Sequence, residues 1–186
     1  MAELIRLQPG EQTHTFDRPG EYVVFMHNIS GKFTVDLAAP DVNVDIFGLF
    51  VGTTDEQYTI ETVQHHRAPR AVSNLYIKGV FDGTSRFNYQ GLIRIEKTAQ
   101  QSHAYQKNQN IILSPKTYVE SKPFLEILAN DVFCTHGSTT GKLNEEQIFY
   151  LASRGLARDE AKCVLVEGFI GEISDLIRRK VPSFEL

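Results

Sequence analysis

Cys134 and His136 stand two residues apart in a β-forming run that we draw from Val132 to Thr135. Alternate residues of a strand leave the same face, so this spacing would set a thiol and an imidazole side by side. Both are ligands that suit zinc or iron. The same spacing also fits a buried cysteine beside a hydrogen-bonded histidine at a strand end, and two ligands do not complete a metal site. His65 and His66 are adjacent. On a strand they point to opposite faces and cannot share one metal, so one satisfied histidine beside one facing solvent is the plain expectation. Glu120 and Glu126 would make a glycosidase-like carboxylate pair only by facing each other across neighbouring strands, and nothing in the sequence puts them so.

Other chemistry is missing from the sequence. There is no phosphate-cradling glycine loop, nucleophile elbow or zinc-protease helix motif. The cysteines number two, Cys134 and Cys163, too far apart for a paired redox or zinc-knuckle motif and too few for a disulfide framework. Two free thiols fit a reducing compartment. With 41% hydrophobic and 23% charged residues, and 19 basic against 23 acidic side chains, the chain is neither disordered by composition nor basic enough to coat nucleic acid. No run of about 18 apolar residues marks a membrane span, and the opening Met-Ala-Glu-Leu-Ile-Arg lacks the features of a secretory signal. A cytoplasmic protein is the expectation.

The elements that must position these residues change character along the chain. From about Gly20 to Lys142, short β-rich runs recur at ten- to fifteen-residue intervals, broken by Gly, Asp, Asn or Pro. They are Tyr22 to His27, Lys32 to Leu37, Val42 to Val51, Gln57 to His65, Val72 to Phe81, Arg86 to Ile95, Tyr105 to Leu113, Thr117 to Leu128 and Val132 to Thr135. Spacing alone suits a sandwich, a barrel or a β-solenoid. Asp82-Gly83 is the one hairpin-type dipeptide, which argues against an antiparallel meander. Glycines inside Val42 to Val51 and Arg86 to Ile95 suggest bends, as at the corners of a coiled sheet.

After Leu143 the pattern turns helical. Asn144 is a candidate cap, with Gln147 reaching back and Leu143 and Ile148 at the staple positions, and Gly155 supplies a left-handed stop. A second helix runs from about Arg158 to Ile177, its stripe of Ala161, Val164, Leu165, Gly168, Phe169, Ile173, Leu176 and Ile177 suited to packing rather than to a cofactor. Asp159 and Glu160 at its start and Arg178, Arg179 and Lys180 at its end complement the helix dipole. The division is a β core over 1–143 and a helical segment over 144–186.

The stretch "KPFLEILANDVFCTHGSTTGKLNEEQIFYLASRGLARDEAKCVLVEGFIGEI" closely resembles the C-terminal core of the SufB/SufD family. The shared residues are Pro123, Leu125-Glu126-Ile127, Asp131-Val132, Cys134, His136-Gly137, Glu146-Gln147, Phe149-Tyr150-Leu151 and Ser153-Arg154-Gly155. Upstream, "SNLYIKGVFDGTSRFNYQGLIRI" and "AYQKNQNIILSP" are also similar to the family, the likeness weakening before about Gly52. The resemblance implies a mainly β fold, a right-handed parallel β-helix followed by a short two-helix segment, in which SufB and SufD chains pair and each helical segment docks the ATPase SufC. Gly137, where SufB-like chains carry Glu, points to the SufD branch. There the histidine matching His136 faces the partner chain and is implicated in building the nascent cluster. The expected role is a non-enzymatic, cytoplasmic scaffold for iron-sulfur cluster assembly, pairing with a SufB-like chain or with itself. His136 and Cys134 would be transient ligands to iron or a nascent cluster, and Glu146 and Arg154 contacts to a SufC-like ATPase, while Phe149 and Leu151 hold the segment on the β-helix. Family members carry a further, chiefly helical N-terminal region, so the sequence from Met1 resembles a short form. The competing readings are a self-associating β-helix module with no cluster role and a β-helix carbohydrate-active enzyme using exposed carboxylates.

Overall fold

A computed structural model describes residues 2–186. Eleven strands precede two helices: β1 (Glu3–Arg6), β2 (Gly10–Phe16), β3 (Gly20–His27), β4 (Gly31–Leu37), β5 (Val42–Gly52), β6 (Gln57–His66), β7 (Val72–Phe81), β8 (Arg86–Ile95), β9 (His103–Ile112), β10 (Tyr118–Ile127), β11 (Phe133–Gly141), α1 (Glu145–Ser153) and α2 (Arg158–Lys180). The odd strands form one sheet in the order β1-β3-β5-β7-β9-β11 and the even strands a second, β10-β8-β6-β4-β2. Every pairing is parallel. The chain therefore alternates between two sheets and lays each coil on the one before, as a parallel β-helix does.

The order of apolar residues explains the layers. In β6 and β8 burial alternates strictly, with Tyr58, Ile60, Phe87, Tyr89, Ile93 and Ile95 inward. Together with Phe33, Val35 and Leu37 of β4 and Val44, Ile46, Leu75 and Ile77 of the opposite sheet, most of them form the core between the sheets. In β3 and β5 the apolar run is almost continuous, because both faces are covered. Val23, Phe25, Phe47 and Leu49 point outward and meet Ile173 and Ile177 of α2, with Val181 and Phe184 beyond it. Buried Lys78 on β7 fastens the middle of α2, donating to the Phe169 carbonyl (2.8 Å) and to Glu172 while its ammonium lies over the Phe169 ring. Lys180 reaches Asp45 on β5 at 2.7 Å.

Several expectations need correction. Two strands, β1 and β2, precede the run that begins at Tyr22. The strand carrying Cys134 does not end at Thr135 but continues through Gly141, because its small polar residues pair with β9 throughout. Gly48 and Gly91 are not corners. They lie within unbroken strands, where they make room for inward side chains: a β-carbon at Gly48 would press on Ile77, Phe50 and Met26. The turning is done elsewhere. Asp41, Arg70 and Gln101 each adopt positive φ (59°, 57° and 61°) at the same corner of successive coils, a conformation L-residues seldom take. None is glycine, so composition gave no sign of them.

Polar groups also enter the interior. His66 is fully buried and pairs with the Ser73 hydroxyl at 2.7 Å, and Gln64 Nε2 donates to the same oxygen at 2.7 Å. Burial pushes the His66 imidazole down to about 4, with the neighbouring His65 adding to the effect. The unfolded chain thus takes up this proton first as pH falls. The stability that neutral His66 contributes is complete above its ordinary value near 6.5 and is lost between there and about 4, amounting to roughly 3 kcal/mol by linkage. Urea unfolding of His66→Gln, which keeps a polar side chain at the position, is expected to show a flatter stability curve from pH 6.5 to 4 than the parent chain. An equal slope in both would mean that another group governs the acid limb.

Candidate functional site at the open end of the solenoid

β10 and β11 are the last strands of their sheets and lie at the same end of the stack. Each leaves one row of backbone N–H and C=O groups without a neighbouring strand. Large apolar side chains collect there in the open: Phe124, Leu125, Ile127 and Leu128, with Phe133 62% exposed. Every earlier coil is roofed by the next one. This coil has no roof.

Register defines what faces into the opening. Cys134 stacks on Ala104, His136 on Gln106, Ser138 on Asn108 and Thr140 on Asn110. Ala104, Gln106, Asn108 and Asn110 are buried and their intervening neighbours are not, so Cys134 and His136 share the inward face, as their spacing predicts. Their environments differ. Cys134 packs against a small apolar cluster of Ile93, Ile95, Ala99, Ala104 and Ala129, and burial pushes its thiol up to about 11, so it is protonated at neutral pH. His136 is exposed.

Beneath them lies a polar floor that sequence reasoning did not single out. Gln106, Asn108 and Asn110 are 2%, 1% and 4% exposed. Asn108 donates to the Ser121 hydroxyl at 3.1 Å and Asn110 to that of Thr140 at 3.4 Å, yet among the described residues Gln106 Oε1, Asn108 Oδ1 and Asn110 Oδ1 have no hydrogen-bond partner. The signal existed in "QKNQN", but Lys107 and Gln109 are polar too, so alternation could not be read there.

The other candidates fall apart from this opening. His65 points outward between Asp36 (3.4 Å) and Glu96 (3.1 Å), opposite to His66. Glu120 and Glu126 lie on one strand, six residues or about 20 Å apart, and are paired with Lys122 and Arg94, so they cannot flank a glycosidic bond. Among the described residues no group of three or more His, Cys, Asp or Glu side chains could hold a metal ion. No described helix is long and apolar enough to cross a membrane.

On the helical side Asn144 caps α1, its Oδ1 accepting from Glu146 N (2.8 Å) and Gln147 N (3.3 Å), and Gly155 ends it with φ of 101°. Glu146 and Arg154 are both exposed, in the first turn and at the C-cap, and the Arg154 guanidinium lies over the Tyr150 ring. Phe149 does not hold the segment down, being 74% exposed. Ile148 is the buried residue of α1, at the edge of a cleft of about 660 Å³ lined also by Cys163 and Val166 of α2 and by Ile112 and Leu113.

The family described as SUF system FeS cluster assembly, SufBD core domain, matches residues 23–169. The chain is similar to an iron-sulfur cluster assembly SufBD family protein of Synechocystis sp., with 37% identity over 109 residues, 59% of this chain and 24% of that one. It is also similar to the iron-sulfur cluster assembly protein SufD of Escherichia coli, with 29% identity over 166 residues, 89% of this chain and 38% of that one. A SufBD family protein of Mycobacterium leprae is 30% identical over 147 residues, 75% of this chain and 38% of that one. The chain thus spans well under half the length of these relatives.

The thiols make the site's geometry measurable. Cys163 is exposed on α2, whereas Cys134 is half-buried and held neutral. Iodoacetamide at pH 8 is expected to alkylate Cys163 at least about tenfold faster than Cys134, since the thiolate is the nucleophile. Peptide mass mapping over time reads both, and equal rates would mean that the Ile93–Ala129 cluster does not enclose Cys134.

Proposed function

Because the chain belongs to the SufBD core family and so to iron-sulfur cluster assembly, we propose that it works as a SufD-like scaffold rather than as an enzyme. In this reading the open end pairs with a SufB-like chain, or with a second copy, in the cytoplasm. The observation that carries it is the coincidence, on one coil, of two free strand edges, a band of exposed apolar side chains and the inward-facing Cys134 and His136. A bare edge of this kind is commonly covered by another chain.

Iron or a nascent cluster is then cargo at the junction. Cys134 and His136 suit it chemically, a thiolate and an imidazole being ordinary iron ligands. They are two donors, so the facing chain supplies the remainder. Cys134 gives up its proton when it binds, as a metal-bound thiol must. His136→Ala is expected to leave folding and pairing intact, because the ring is exposed, yet to abolish iron-sulfur absorbance after anaerobic reconstitution of the paired assembly. Unchanged cluster yield would sink the ligand role.

The exposed side of α1 supports docking of a SufC-like ATPase, with Glu146 and Arg154 as polar contacts and Phe149 and Tyr150 adding an apolar patch. Removing residues 144–186 is an unsuitable test, since α2 covers Val23, Phe25, Phe47 and Leu49. Phe149→Asp with Glu146→Lys alters only exposed positions. Loss of ATPase retention in a pull-down with unchanged thermal unfolding is expected, and full retention would move the docking surface elsewhere.

A further inference from the structure

Gln106 lies directly inside His136. The two are Cα partners in the β9–β11 ladder, so their side chains leave the same face one strand spacing, about 4.8 Å, apart. Gln106 is 2% exposed, and its Oε1 lacks a hydrogen-bond partner among the described residues. On its other side in the column stands Leu75, which offers no donor. His136 makes no side-chain hydrogen bond among the described residues and is the one column neighbour with an N–H to offer the oxygen.

The other end of the amide is confined. Gly91 on β8 leaves the space that Gln106 Nε2 and the Tyr89 hydroxyl both approach, and a β-carbon there would collide with each. Tyr89 is fixed in turn by its 2.8 Å hydrogen bond with Thr62. The amide nitrogen lies toward β8, and the buried carbonyl oxygen is the atom left without a partner among the described residues. An unpaired buried acceptor is costly, so an N–H brought within reach is bound by it.

We propose that Gln106 is a positioning residue for His136: its Oε1 accepts the N–H of one ring nitrogen, fixing the tautomer and the ring plane, and leaves the unprotonated nitrogen turned out of the open end. Ligating histidines are ordinarily oriented in this way by an acceptor behind them. What this does for iron rests on the function proposed above. The tautomer itself does not.

Long-range ¹⁵N–¹H correlation of the metal-free chain, at a pH where His136 is neutral, reads the tautomer. One tautomer is expected in the parent chain, and a mixture in Gln106→Leu and in Gly91→Ala, which displaces the amide from behind. Gln106→Glu keeps an acceptor and should restore the single form. In the paired assembly, Gln106→Leu should weaken anaerobic Fe²⁺ binding at least tenfold. A tautomer mixture already present in the parent, or one form persisting in Gln106→Leu, overturns the proposal. If His136→Ala leaves Fe²⁺ binding unchanged while the tautomer still depends on Gln106, the ligand reading fails and the positioning contact stands.

Discussion

Parallel stacking in register is the constraint on which the rest of this molecule depends. Each strand finds its backbone partners only in the coils above and below, and each inward side chain rests on the one a coil away. From Asn43 to Val72 to His103 to Phe133 the register advances about 30 residues per coil. A stack of this kind satisfies its middle and never its ends. The last coil therefore exposes strand edges and interior side chains together, and a side chain on its inward face is buried on one side and open on the other. Cys134 and His136 occupy that position, which neither a sandwich nor a closed barrel would have created.

The other sheet face solves a different problem. β3 and β5 are apolar on both sides and would present an exposed hydrophobic surface without a cover. α2 is that cover, tied at its middle by Lys78 and near its end by Lys180. The tail is thus part of the core at its C-terminal half. Toward α1 the character changes: Val164 is exposed, Phe149 and Tyr150 face solvent, and a cleft opens against Ile112 and Leu113. One helix pair both completes the fold and presents a surface.

The strands from β3 to β10 were legible because their apolar residues alternate or run continuously and because hairpin dipeptides are scarce. The two-residue spacing of Cys134 and His136 was enough to predict their shared face. β1 and β2 were not legible, being short or polar, with inward Phe16 near the end. The corners escaped because Asp41, Arg70 and Gln101 take left-handed backbone without being glycine. Phe149 misled because its family motif marks a shared position without saying which side of a short helix is covered. The polar floor was invisible for a physical reason: a β-helix buries amides that any other sheet would leave in water, and only the register shows which ones.

That floor bears on how the two candidate ligands divide their work. Cys134 is pressed into Ile93 and Ile95, and burial holds its proton in place, so in the uncovered chain it is a packing residue with no anionic charge. Covering the open end with another chain removes more water and favours the neutral thiol still further, unless a cation arrives with the cover. An exposed imidazole has no such requirement: in its neutral form it already offers a lone pair. On the proposed reading, His136 can therefore meet iron before the junction closes, whereas Cys134 becomes a ligand only when cation and partner are present together. On the proposed reading, a histidine rather than a second thiol gives this position a donor whose neutral form can already bind a cation.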